Sequence, residues 1–147
     1  FKNFDVRLAY RYNQVKTTFG NDLLQKPLTA PHRAFANAAY EWKGWKFDYT
    51  VNLNGPKRIP STAGNPASYR QALRSPSYWL MNAQISKTVF EKHPVDIYIG
   101  GENLTNYFQK DVILAADQPF SSWFDASLVW GPVSGRLVYL GFRYKIK

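Results

Sequence analysis

Along most of this chain apolar and polar residues alternate one for one, and the alternation comes in six blocks. In the first, Phe4 to Val15, one face carries Phe4, Val6, Leu8, Tyr10 and Tyr12. The other carries Asp5, Arg7, Arg11 and Asn13, with Ala9 among them. The second, His32 to Trp42, sets Ala34, Ala36, Ala38, Tyr40 and Trp42 against Arg33, Asn37 and Glu41. The third, Trp45 to Asn54, is the cleanest: Trp45, Phe47, Tyr49, Val51 and Leu53 alternate with Lys46, Asp48, Thr50, Asn52 and Asn54. The fourth, Tyr78 to Phe90, groups Trp79, Met81, Ala83, Ile85 and Val89 opposite Asn82, Gln84, Ser86 and Thr88. Lys87 falls on its apolar face near the end, where a long side chain can snorkel. The fifth places Val95, Ile97 and Ile99 against Asp96, Tyr98 and Glu102. In the sixth, Arg136 to Lys147, Val138, Leu140, Phe142, Tyr144 and Ile146 share one side, while Leu137, Tyr139, Gly141, Arg143, Lys145 and Lys147 share the other. A period of two with one oily and one wet face predicts six β-strands.

The connections alternate as strictly as the residues. Lys16 to Pro31, broken by Gly20, Asn21, Asp22, Pro27 and Pro31, is expected as a loop, as is Gly55 to Ser77 with Pro56, Pro60, Gly64 and Pro66. Residues 107 to 135 make the longest one. Between them stand only short turns, at Lys43-Gly44 and at Glu91-Lys92-His93-Pro94. Compact soluble domains seldom use irregular loops beyond about 12–15 residues. Short turns at one rim and long loops at the other are the habit of outer-membrane barrels. Tyr40, Trp42, Trp45, Phe47, Phe142 and Tyr144, together with Phe4, fall toward the short-turn end, as an aromatic girdle at a bilayer interface would. The expected fold is therefore all-β, an antiparallel transmembrane β-barrel with its oily face on lipid. The competing reading is a soluble β-barrel or sandwich whose core face is aromatic, binding a ligand or nucleic acid through basic and aromatic loops. Loop length favours the membrane barrel.

Register and closure sharpen the expectation. A slip by one residue would turn Arg7, Arg11, Asp48 or Arg143 toward the oily side, and an Arg on a lipid face costs about 2–4 kcal/mol at mid-bilayer. Six strands fall short of the ~8 that begin the transmembrane range, and open edges leave backbone groups unpaired in lipid. The chain is thus expected to be the C-terminal part of something larger or to be completed by another chain as a structural subunit. Its start at Phe1, with no charged-then-apolar leader following, fits the first.

Composition narrows the chemistry. Aromatic residues reach 17%, which suits strands. No apolar run approaches the roughly 20 residues of a membrane helix, and a mean hydropathy of -0.41 is compatible with strands that need only ~9–11 alternating residues to cross. With no cysteine in 147 residues, disulfides, thiolate zinc sites and cysteine nucleophiles drop out together. The formal charge of +9 invites an anionic partner, but the basic residues are spread without a dense run, as on a solvated surface. His32 and His93 stand beside loops without metal-pair spacing, and no catalytic constellation is present. No enzyme activity, cofactor or metal is expected. Asn103-Leu104-Thr105 matches a glycosylation pattern, discounted in a barrel strand.

The loops carry what binding chemistry can be read. Gly55 to Ser77 holds Lys57, Arg58, Arg70 and Arg74 with no acid, and could meet an anionic ligand or lipopolysaccharide phosphate, or simply be solvated. The third loop combines Asp111, Asp117 and Asp125 with Phe120, Trp123, Phe124 and Trp130. Such a mixture suits a large, partly apolar ligand or a surface lipoprotein cap. It equally suits aromatics that pack the loop onto its own rim.

Three stretches bear a resemblance. Gly100-Gly101-Glu102-Asn103-Leu104-Thr105-Asn106-Tyr107 is similar to the G-x-x-N-L-x-[DN] signature near the penultimate strand of TonB-dependent outer-membrane receptors. Phe124 to Pro132, Gly135-Arg136 and Tyr139 to Phe142 look like the end of that family, in the branch of cobalamin and iron-siderophore receptors. Leu28 to Pro31 with Arg33 to Asn37 resembles a strand start common there. The resemblance implies that the chain supplies the last six strands of a barrel of about 22, in a receptor importing a siderophore, cobalamin, haem or similar scarce ligand. It implies an N-terminal plug and a short box pulled by the TonB complex, neither of which is present in these residues, and an outer-membrane location in a Gram-negative-type bacterium. Asp48, Asn52, Gln84, Asp96 and Arg143 would then face the plug or line the lumen. No nucleic acid belongs to this reading. The family often ends on Phe or Trp; this sequence closes on Lys147, with Phe142, Tyr144 and Ile146 nearest.

Overall fold

The computed structural model describes residues 3–90 and 93–144. It contains eight strands: β1 (Phe4–Tyr12), β2 (Lys16–Phe19), β3 (Asp22–Gln25), β4 (His32–Trp42), β5 (Trp45–Asn54), β6 (Tyr78–Val89), β7 (Val95–Glu102) and β8 (Leu137–Tyr144). The protein is all-β, and every strand pairing is antiparallel. Six strands form one sheet in the order β1-β4-β5-β6-β7-β8, each beside its predecessor. These are the six alternating blocks of the sequence.

Three expectations need correction. The first strand stops at Tyr12: the Asn13 amide still donates in register to the Pro31 carbonyl (2.8 Å), but Pro31 has no N–H to return the bond and the ladder ends there. The segment Lys16 to Pro31 is not all loop: β2 and β3 pair as a separate hairpin through Gly20-Asn21, with Gly20 at φ +62°. β6 ends one residue early, since Phe90 turns into the left-handed region at φ 63°. Lys145, Ile146 and Lys147, the expected end of the last strand, and Glu91-Lys92 of the short turn lie outside the described residues.

Register turns the sequence alternation into rows across the sheet. On one face Phe4, Tyr40, Phe47, Ile85, Ile99 and Leu140 are successive neighbours from β1 to β8. Two residues further along lies the row Val6, Ala38, Tyr49, Ala83, Gly101, Val138, and beyond it Leu8, Ala36, Val51, Met81. The opposite face carries Arg7, Asn37, Thr50 and Asn82 in one row and Glu41, Lys46, Ser86 and Tyr98 in another. A one-residue slip would exchange the two sets, so register is fixed by the whole grid.

The sheet is a single layer. Leu8 is 76% exposed, Leu140 75% and Phe142 75%, and no second layer covers the apolar face among the described residues. The buried apolar residues are Ala30, Ile59, Tyr78, Leu114, Ala115 and Leu128, all in the long loops or at their junction with the sheet. Ile59, Leu114 and Leu128 form a small core against which Trp130 packs. The protein's buried interior therefore sits at one end, where the three long connections meet. The sheet is open: β1 and β8 are its edges and do not pair with each other.

Candidate functional site

The second and third long loops fold against each other because each supplies what the other lacks. Loop two brings Ile59 and the side-chain donors Tyr69 and Gln71, which reach Asp117 Oδ2 (2.8 Å) and the Asp111 carbonyl (3.3 Å); loop three brings Leu114 and Leu128, with Leu114 and Asp125 forming its own short antiparallel bridge. Gln109 holds this third loop together. Its side chain is 3% exposed; Nε2 donates to the Leu128 and Asp111 carbonyls (3.0 and 3.1 Å), while Oε1 accepts from the amides of Trp130 and Gly131 (2.8 and 3.1 Å). Every hydrogen-bonding position of the buried amide is used, which is what makes it tolerable there.

The Gly-Gly-Glu-Asn-Leu-Thr-Asn segment has a mechanical role in this arrangement. Asn103, at φ 49°, leaves the end of β7 and turns its amide back on the loop: Nδ2 donates to the Tyr107 and Ser134 carbonyls (2.7 and 3.2 Å), and Oδ1 accepts from the Tyr107 amide (3.1 Å). The Asn103 backbone amide donates to Asn82 Oδ1 (2.9 Å), Leu104 N to the Met81 carbonyl (2.7 Å), and Thr105 Oγ1 to the Trp79 carbonyl (3.0 Å). Asn106 Oδ1 accepts from the Arg136 amide (2.9 Å). One short segment thus ties both ends of the third loop to β6 and β8.

The residues expected to bind ligand divide into three groups. Lys57 is 8% exposed; its Nζ donates to the Trp130 carbonyl and reaches the Tyr78 hydroxyl (3.4 Å). Burial lowers the Lys57 pKa, and Arg33 nearby lowers it further. Arg58 lies over the Phe19 ring (4.8 Å) and donates to the Gln25 carbonyl (3.2 Å), pinning the β2–β3 hairpin. Asp117 accepts from the Tyr69 hydroxyl (2.8 Å), and Asp125 accepts from the Ser127 amide and hydroxyl (both 2.7 Å). These four are spent on holding loops. Arg70, Arg74 and Trp130, by contrast, line one open cleft of about 450 Å³ between the loops, together with Tyr107, Lys110 and Asp111. Phe120 is fully exposed, Phe124 40% exposed and Trp123 half-buried; none of the three lines that cleft.

The polar face of the sheet gathers the residues expected there. Asp48 stands opposite Gln84 across β5 and β6 and accepts from Asn37 Nδ2 (3.1 Å). Asp96 is paired in register with Arg143 and accepts from Thr88 Oγ1 (2.6 Å). Asn52 shares this face nearer the loops. On the other face Tyr40, Trp42, Trp45, Phe47, Phe142 and Tyr144 occupy adjoining rows at the short-turn end. Lys87, the exception on that face, donates to the Lys43 carbonyl (2.7 Å) and lies over Trp45 (5.1 Å). Sequence reading missed two aromatics in one row at the loop end, Tyr10 and Trp79 on either side of Ala34 and Leu53, with Tyr12 and His32 just beyond. It also missed Gln109, Tyr107 and Lys110, since irregular loops have no period to reveal which residues meet.

No group of metal-ligating side chains is present among the described residues. No family model, no curated protein and no solved structure matches this chain.

Proposed function

We propose that the six-stranded sheet is a sector of an outer-membrane β-barrel, its apolar face on lipid and its polar face on the lumen. We assign it to the C-terminal part of a 22-stranded receptor of the TonB-dependent kind, which imports a scarce ligand captured by the long loops. The observation that carries this is the uncovered apolar grid, bounded at the short-turn end by aromatic rows and flanked at the loop end by Tyr10, Tyr12 and Trp79. From Trp45 to Leu53 a strand rises about 26 Å at roughly 3.3 Å per residue, or about 20 Å along the normal at a tilt of ~40°, near the ~25 Å apolar band of such barrels. A soluble sheet would have to leave that whole face in water, far beyond the apolar patch an ordinary surface tolerates. Edges β1 and β8 each need a neighbouring strand in lipid. On this reading the partners are those strands, a plug against Asp48, Asn52, Gln84, Asp96 and Arg143, the TonB complex, lipopolysaccharide, and a surface lipoprotein over the loops.

The sequence has no cysteine, so single cysteines report cleanly. In membranes from cells producing the protein, a water-soluble maleimide should label Asp48→Cys and Gln84→Cys. A photoreactive label dissolved in the bilayer should instead reach Val51→Cys and Leu140→Cys. Recovery as a folded monomer without detergent, with all four cysteines equally reactive in water, would defeat the proposal.

A further inference from the structure

We propose that the cleft between the second and third loops binds a small, soluble ligand carrying one ring and one oxyanion, a phosphate or a carboxylate. The inference rests on the receptor reading for its biological sense, but its geometry stands apart from the membrane. Three cations line the cleft, Arg70, Arg74 and Lys110, against one acid, Asp111. The Arg70 Nε donates to the Asn65 carbonyl (2.8 Å), which fixes the side chain's direction and leaves its two terminal nitrogens available. Neither Arg74 nor Lys110 has a carboxylate partner among the described residues, whose only ion pairs are Arg7–Asp5 and Lys46–Glu41. A cation kept in a loop wall without a partner is the arrangement that recognises an incoming oxyanion, and a guanidinium does so with two parallel hydrogen bonds.

The remaining wall is aromatic and held in place. Tyr107 stacks on Tyr78 with ring centroids 4.8 Å apart and an angle of 8°, and Trp130 packs against the Ile59, Leu114 and Leu128 core. Asn103 fixes the Tyr107 backbone and Gln109 fixes that of Trp130. A ring entering beside Tyr107 and Trp130 therefore meets surfaces that need no ordering on binding, which preserves affinity. The volume stands toward the lower end of the ~300–1,000 Å³ of ligand pockets, enough for one ring and its anionic group but not for a large macrocycle.

The test is calorimetric titration of the purified protein in detergent with phenyl phosphate, with inorganic phosphate and phenol as half-ligands. Phenyl phosphate should bind more tightly than either half. Arg74→Gln should weaken it by about 10-fold or more, the loss of a charge-assisted pair, while Arg74→Lys recovers part. Arg11→Gln, on β1 away from the cleft, should leave binding unchanged. Equal affinity in wild type and Arg74→Gln, or binding of lipopolysaccharide but of none of the soluble probes, would overturn the proposal. Failure here with intact bilayer labelling at Val51 and Leu140 sinks only the cleft; binding by a protein that needs no detergent sinks only the membrane reading.

Discussion

Tyr139 lies across Gly100, its neighbour on the adjoining strand, so closely that a methyl group added to the glycine would overlap the ring. Tyr98 covers Gly141 in the same way one row along, and the two tyrosines meet edge to face at 6.2 Å. Each glycine makes room for the ring that shields it, as aromatic side chains do over glycines in sheets. The Tyr139 hydroxyl is thereby carried to Gln84 Oε1 at 3.0 Å, tying β8 to β6 across β7.

Gly100→Ala should therefore destabilise the sheet by about 1–3 kcal/mol, the ordinary cost of overpacking. The measurement is the midpoint of a denaturant titration at constant slope. Gly100→Ala combined with Tyr139→Ala should cost less than the sum of the two single changes, because the clash needs both partners. Strict additivity would show that the ring is not what makes alanine unwelcome.

Asn103→Ala removes the donor to the Tyr107 and Ser134 carbonyls and the acceptor for the Tyr107 amide, at a residue only 9% exposed. A loss of about 2–4 kcal/mol is expected from several buried groups left unpaired. Cleavage by a protease between 107 and 135 should accelerate with it. Asn103→Asp keeps the acceptor but not the donor, and should fall between. A variant whose loop stays as protected as wild type would show that Leu104 and Thr105 suffice to moor it.

Much of the sheet could be read in advance because period-two alternation and register constrain each other. Trp45 through Asn54 could sit only one way up, and the structure places Val51 and Asp48 on the expected faces. The loops resisted for a physical reason. Lys57 and Arg70 look alike in sequence, yet one is buried under Trp130 and the other opens on a cleft, a difference set by tertiary packing alone. The β2–β3 hairpin had a local signal, Gly20-Asn21 between Thr-Phe and Asp-Leu, but its strands are too short for alternation to register. What pairs with the sheet edges β1 and β8 is not written in the alternation at all, because a period of two sorts residues between faces and says nothing about a strand's neighbour.

Tyr69→Phe should loosen the strap between loops two and three, since only the hydroxyl reaches Asp117. That bond holds the phenol above its ordinary value of 10.0. The folded state then keeps its proton where the unfolded state loses it, so the strap contributes fully below pH 10 and fades as pH rises further. Proteolysis of loop two should be faster in the variant at pH 7, and the difference should shrink above pH 10. Equal rates at pH 7 would mean the strap does not restrain the loop.

Lys57 predicts the opposite slope. Burial first, and the charge of Arg33 second, hold its ammonium below the ordinary 10.5. Between the lowered folded value and 10.5 the unfolded chain binds a proton that the folded one has released, so stability rises with pH across that window. Below the window both states are charged and the cost of burying the cation is present in full; above it both are neutral. Compared with Lys57→Met, which cannot titrate, the wild type should gain stability as pH climbs toward 10.5 and then level off. The Trp130 carbonyl keeps its donor throughout, because a neutral amine still donates. Replacing Arg33 by Gln should narrow the window, since the repulsion that adds to burial is removed. Denaturation midpoints of the three proteins from pH 7 to 11 decide the matter: a wild-type advantage that is flat or falls across that range would mean the ammonium is solvated rather than enclosed beneath the third loop.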